Sequence, residues 1–302
     1  MTFALSNIVD TVTLPAGTDS LHAAAEHGGG NIFTELLHHV RDSDELETPF
    51  GHIPLPHFDP VTVAGIPFDF SITKHVVFLW ISALLLILLA TFAARKNSKR
   101  EVPTGFGNVM EVFISFIRDE IVLPNMGPAG LKYMPYLLTT FFFILTMNLA
   151  GLVPFGASAT GNVSVTAGMA IIAFIMIQAS AIKAQGLGHY VAHLTGGVHW
   201  LLWPIMVPIE ILGLFTKPFA LCIRLFANMT GGHIVIVALL GLIFIFRSYI
   251  VAVGPFGFVL GIMALELFVA FLQAYIFTML TSLFMGLGMQ AADGPEEHSH
   301  GH

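Results

Sequence analysis

The stretch Pro204–Phe246, PIMVPIEILGLFTKPFALCIRLFANMTGGHIVIVALLGLIFIF, decides the fold. Its only charges are Glu210, Lys217 and Arg224. As a single helix its 43 residues would measure roughly 64 Å at 1.5 Å per residue, against a bilayer core about 30 Å thick. It must either break into two crossings or lie steeply tilted. No turn-forming polar cluster divides it; Arg247-Ser248-Tyr249 and Gly254-Pro255 punctuate only beyond it. Pro255–Gln290 poses the same problem, at roughly 54 Å on the same rise. The expectation is two long, strongly inclined helices forming a hairpin, with Pro218 able to kink the first.

Within this stretch Arg224 is the most informative residue. A guanidinium in hydrocarbon is costly and cannot escape by losing its proton. A snorkelling arginine needs a membrane boundary nearby, but Leu225–Phe246 contains no Asp, Glu, Lys or Arg. At 100° per residue, Lys217, Glu210 and Asn228 fall within about 40° of Arg224 on one flank. Gly213, Gly231, Ala220 and Ala227 fall within about 60° on the other. Small residues let another helix approach closely in a membrane, so the stripe suits either a partner helix or packing within this chain. His233 lies nine residues on, near the opposite face and roughly 13 Å along the axis. On the second long segment, Glu266 and Gln273 are seven apart and share a face. Glu266 is the only charge between Arg247 and Asp293. A lone intramembrane carboxylate implies a partner or a water-filled cavity, and His233, whose side-chain type titrates near neutrality, is the candidate partner.

The rest of the chain agrees with a membrane protein. Of 302 residues 55% are hydrophobic and only 10% charged, with a mean hydropathy of +0.81, outside the soluble range. No basic patch interleaved with aromatics appears, so nucleic acid is not an expected partner. Cys222, the single cysteine, excludes an intrachain disulfide and a cysteine-rich metal site; a buried, inert thiol is expected. Residues 1–70 are polar, rich in Gly, Pro, Asp, Glu and His, and lack a basic region followed by an apolar one, so no signal peptide is expected. They read as a segment outside the membrane, 71–291 as the membrane domain, and 292–302 as a polar tail.

His75–Ala94 is an uncharged run matching one crossing. From Gly105 to Val122, Asn108, Glu111, Ser115 and Arg118 recur at spacings of three and four among apolar residues, as in an interfacial amphipathic helix. Tyr133–Ile182 is uncharged but interrupted by Pro154, Gly156 and Gly161-Asn162, giving two crossings at about 136–155 and 163–182. With the N-terminus outside, Arg95, Lys96, Lys99, Arg100, Arg118, Lys132 and Lys183 lie inside, and only Arg41 and Lys74 outside. The C-terminal tail is then cytoplasmic. The fold expected is an all-α integral membrane protein with about five embedded helices and one interfacial helix.

Lys217-Pro218, Arg224-Leu225-Phe226-Ala227-Asn228-Met229 and Leu272-Gln273-Ala274-Tyr275-Ile276-Phe277, with Glu266 before them, resemble subunit a of the F-type ATP synthase membrane sector. Met147-Asn148-Leu149 and Asn162-Val163-Ser164-Val165-Thr166 fit the same family, over about residues 70–290. Many bacterial members have a carboxylate nine after the arginine and a histidine where Glu266 stands. Here the pair is exchanged, as in mitochondrial members. Some members carry an acid three after the hairpin asparagine; here Gly151 stands there.

The resemblance implies that Arg224 faces a rotating ring of small two-helix c subunits and meets each ring carboxylate in turn. It implies that His233, Glu266 and Asn148 line an external half-channel and that Glu210 lies in a cytoplasmic one. Gln273 would help hold the guanidinium, with Asn228 and Lys217 on the same polar flank. Stator b subunits and the rest of the synthase are the implied partners, and the lipid bilayer is the surroundings. No cofactor, no metal and no site for ATP chemistry in this chain are implied. A bacterial inner membrane is expected ahead of a mitochondrial one. Two other classes are a bis-histidine haem cytochrome and a secondary transporter. The first needs two deep histidines at matching depth, and only His233 is deep in an apolar run. The second needs inverted repeats, which the sequence lacks.

Overall fold

In the computed structural model, the structure describes residues 45–48, 51–54, 61–63, 66–68, 73–97, 105–153, 158–194, 203–246 and 249–290. Two short antiparallel hairpins come first: β1 (Glu45–Thr48) with β2 (Gly51–Pro54), and β3 (Val61–Val63) with β4 (Ile66–Phe68). They precede the membrane helices and were not foreseen in the polar segment read over residues 1–70. Every regular element described after them is helical. The helices are α1 (Lys74–Asn97), α2 (Phe106–Phe116), α3 (Leu123–Met126), α4 (Met134–Gly151), α5 (Val163–Gln185), α6 (Leu187–Leu194), α7 (Trp203–Phe246) and α8 (Tyr249–Gln290). Five helices are long and apolar enough to cross a membrane, the number expected.

Local chemistry sets the boundaries. α1 ends at the basic run that begins with Arg95. The amphipathic segment opens at Gly105, whose φ of 66° suits glycine. Beyond α2 it widens into a π-helical turn at Ile117–Val122 before α3. Asn162 caps α5, its Oδ1 accepting from the Ser164 N–H at 2.8 Å. α4 stops at Gly151, four residues short of the expected end, because Pro154 cannot continue it.

The two long segments are single helices of 44 and 42 residues. α7 runs through Pro208 and Pro218 without interruption. A proline forfeits one backbone bond, a loss that neighbouring groups in a membrane helix can make good.

The chain divides into two compact units, 42–232 with 262–302, and 1–41 with 233–261. The core of the first is built from Ile117, Ile121, Leu137, Ile144, Met147, Leu221, Leu225 and Met285. Phe113 of α2 inserts between α4 and α8, its ring centroid 5.8 Å from that of Phe141 and 6.4 Å from that of Phe271. On the outside, Trp80, Leu84, Ile87 and Leu88 of α1 and Ile171, Ile172 and Ile175 of α5 are exposed. So much apolar surface fits lipid, not water.

Candidate functional site: a polar seam along two antiparallel helices

Three contacts define how α7 and α8 meet. Lys217 Nζ sits 4.9 Å from the centroid of the Phe284 ring. The Asn228 Nδ2 amide donates to Gln273 Oε1 at 2.7 Å. The Glu266 carboxylate presses against Gly232. As the number rises on α7 it falls on α8, which is antiparallel pairing in a steady register.

Arg224 lies on the face of α7 turned away from this core. Leu221, Cys222 and Leu225 are buried, whereas Phe219, Ala220, Ile223, Arg224, Ala227 and Asn228 are exposed. Arg224 makes no hydrogen bond or ion pair with any described residue. The small residues flanking it therefore do not pack against this unit; they form an open strip with a cation at its centre. Cys222 is buried, with its sulfur 3.5 Å from the Thr166 hydroxyl.

Gln273, only 5% exposed, is joined to Asn228 and not to the guanidinium. The bond fixes Asn228 one turn beyond Arg224. Lys217 spends its charge over an aromatic face, a cation–π contact. Glu210 lies near the start of α7, close enough to Tyr190 of α6 to act on it. Burial, and after it the Glu210 carboxylate, raises the pKa of the Tyr190 phenol; its hydroxyl donates to Gln178 Oε1 at 2.5 Å.

Glu266 has both carboxylate oxygens enclosed, with no hydrogen bond from any described residue. A Cβ at position 232 would overlap Oε1 and lie 2.8 Å from Cδ and 3.1 Å from Cγ. Gly232 is thus what lets the carboxylate approach α7. His233 is the next residue on α7 and the first of the 233–261 unit.

Asn148, 2% exposed, is placed on α4 facing α8. It accepts from the Thr160 hydroxyl at 2.7 Å and offers its amide to the Ala270 carbonyl at 3.5 Å. Thr160 meets Ser158 Oγ at 2.7 Å, and the Ser158 carbonyl accepts from His75 Nδ1 at 2.9 Å. Gly151 has no room for a side chain: its Cβ would overlap Ser158 Cβ and lie 3.0 Å from Ser158 Cα. His75, Ser158 and Thr160 were missed in the sequence. His75 read as the edge of a crossing, and Ser and Thr in a turn carry no signal of their own.

Among the described residues, no group of three or more His, Cys, Asp or Glu side chains could hold a metal ion.

The family model described as ATP synthase A chain matches residues 76–286. The chain belongs to that family. It is 49% identical to ATP synthase subunit a 2 of Chlorobaculum tepidum, over 98% of this chain and 84% of the relative. It is 52% identical to ATP synthase subunit a of Chloroherpeton thalassium, over 88% and 80%. ATP synthase subunit a of Myxococcus xanthus is 50% identical over 78% of each chain. The family and the five apolar helices make this a multi-pass membrane subunit of an ATP synthase, and they displace the cytochrome and transporter readings.

Proposed function

We propose that this chain is the proton-translocating stator subunit of an F-type ATP synthase. In this reading it provides two offset half-channels and one fixed positive charge facing a rotating ring of c subunits. The observation that carries the reading is the open strip of α7: an exposed arginine with no partner among the described residues, flanked by alanines that leave room for a second helix.

At about 4 Å and an effective dielectric near 20, that charge favours an ionised ring carboxylate by roughly 4 kcal/mol. This is about three powers of ten in the carboxylate's acid dissociation constant. A protonated carboxylate approaching Arg224 gives up its proton before passing, so ion flow requires rotation. Asn148, His233 and Glu266 serve the half-channel open to the outside. Glu210, near the start of α7, serves the cytoplasmic one. Asn228, clamped by Gln273, and Lys217, drawn towards Phe284, shape the polar flank of the strip and keep it from closing on the guanidinium.

The membrane is a bacterial inner membrane. Residues 1–70 lie outside, 71–291 in the bilayer and the tail from 292 in the cytoplasm. Stator b subunits hold the chain against the ring, and ATP chemistry belongs to other subunits of the complex.

Cysteines placed at Ala220 or Ala227, in a Cys222→Ser background, should form disulfides with cysteines on the outer helix of co-purified ring subunits. A complex without any ring, or a ring that cross-links elsewhere but never to these positions, would overturn the assignment.

A further inference from the structure

Three helices of the first unit bring polar side chains together near the start of α7. Two contacts fix how α5 lies against α7. The Cys222 sulfur is 3.5 Å from the Thr166 hydroxyl, and the Phe174 and Phe215 rings stack with centroids 5.6 Å apart. From the first contact to the second, α5 advances from 166 to 174 while α7 falls back from 222 to 215. The two helices therefore run antiparallel in a steady register. One turn beyond Phe174, Gln178 comes level with Ile211 and Glu210. α6 supplies the third member. It folds back on α5, and the Tyr190 hydroxyl donates to Gln178 Oε1 at 2.5 Å.

That bond uses the only hydrogen a phenol has, so Tyr190 faces the rest of its surroundings as an acceptor. Burial, and after it the Glu210 carboxylate, disfavours the phenolate. The hydroxyl thus keeps its hydrogen and does not pass it on. Two groups compete to accept it, the Gln178 amide and the Glu210 carboxylate. Glu210 is half-buried and makes no hydrogen bond or ion pair with any described residue. Lys183 of α5 and His189 of α6 are exposed, and Lys217 is drawn to Phe284. A hydrogen bond to a carboxylate is roughly twice as strong as one to a neutral acceptor, so a phenol released from Gln178 would turn to Glu210. A carboxylate held in this way resists taking a proton. A group that must both take and release one works best when its two forms are close in energy.

We infer that Gln178 and Tyr190 are positioning residues of the cytoplasmic half-channel: Gln178 holds the phenol hydrogen away from Glu210 and leaves the carboxylate open to protons passing between ring and cytoplasm. The proton that enters Glu210 is matched by the one that leaves it, so no further reactant is consumed. The inference rests on the function proposed above and adds to it one residue each from α5 and α6.

The test uses membranes carrying the assembled complex and reads passive proton conduction through the membrane sector. Gln178→Leu removes the acceptor and keeps the bulk. It should slow conduction several-fold, short of the roughly hundredfold that a positioned proton-transfer group itself contributes. Adding Tyr190→Phe to Gln178→Leu removes the hydrogen that would otherwise bind Glu210, so the double variant should conduct faster than Gln178→Leu alone. A packing role predicts the opposite, since two damaged contacts do not repair each other. Unchanged conduction in Gln178→Leu would overturn the inference, and so would a double variant no faster than the single one. If Gln178→Leu does not accumulate, Gln178→Met, which keeps the length of the side chain, is read in its place with the same outcomes. Arg224→Ala in the same membranes separates the two levels: if it still makes ATP, the proposed function fails; if it does not and Tyr190→Phe brings no relief, only the roles of Gln178 and Tyr190 fail.

Discussion

Arg224 and Glu266 are both charges set in apolar helices, but their surroundings differ. Arg224 is turned outward with no described partner, whereas the Glu266 carboxylate is enclosed against the backbone of Gly232. A charge kept outward in lipid calls for something beyond the chain to meet it; one kept inward calls for water or a partner within it. The sequence made both legible, because a lone arginine and a lone glutamate stand out in uncharged runs. It gave no hint of Gly232, since one of two adjacent glycines in a membrane helix is unremarkable until the facing helix is known. Gly232→Ala should displace the flexible Glu266 side chain and leave the fold intact. Proton-driven ATP synthesis should slow several-fold while the complex accumulates normally, in keeping with the cost of misplacing a proton-transfer group. Normal synthesis rates would show that the carboxylate's position there does not matter.

At the scale of elements, the α7–α8 pair carries the account. Length left either a break or a steep tilt, and the absence of polar turns argued against breaks; both are single helices. Their register was not legible, because Gln273 could be placed opposite Arg224 on paper but pairs with Asn228 in the structure. A seven-residue spacing fixes the face of a helix, not its offset along a neighbour. The exchanged pair gives a test at this scale. Either single change, His233→Glu or Glu266→His, should slow proton entry. The double swap should retain more proton-driven synthesis than either, because coupled groups tune each other's proton affinity. A double mutant no better than the worse single one would show that they are uncoupled. A second test concerns how α8 is held. A Cβ at Gly286 would overlap the Asn125 carbonyl oxygen and lie 2.8 Å from its carbon, and backbone cannot swing aside as a side chain can. Gly286→Ala should cost about 1–3 kcal/mol through overpacking, read as a lower melting temperature of the purified complex. An unchanged melting temperature would mean that the two backbones separate freely.

Across the whole molecule, composition and the spacing of charges gave the class and the number of crossings. They missed the two β-hairpins in residues 45–68, where strands of three or four residues leave only a weak periodic trace. They missed the row of hydrogen bonds from His75 to Ala270 for a different reason: its members come from four separate elements and meet only once the helices pack. The proposed orientation rests on the excess of basic residues on the inner side. An engineered cysteine near Ser98 should stay unlabelled by an impermeant reagent added outside intact cells and become labelled once the cells are opened. Strong labelling from outside would reverse the topology and exchange the two half-channels.

If one fixed charge on α7 makes ion flow depend on rotation, replacing that charge must abolish the coupling. Membranes with Arg224→Ala should contain assembled complex but make no ATP from an imposed proton gradient. Arg224→Lys should also fail, because an ammonium can lose its proton when desolvated and lacks the planar fork of a guanidinium. ATP synthesis in Arg224→Ala membranes at a rate close to that of the unaltered protein would contradict the account.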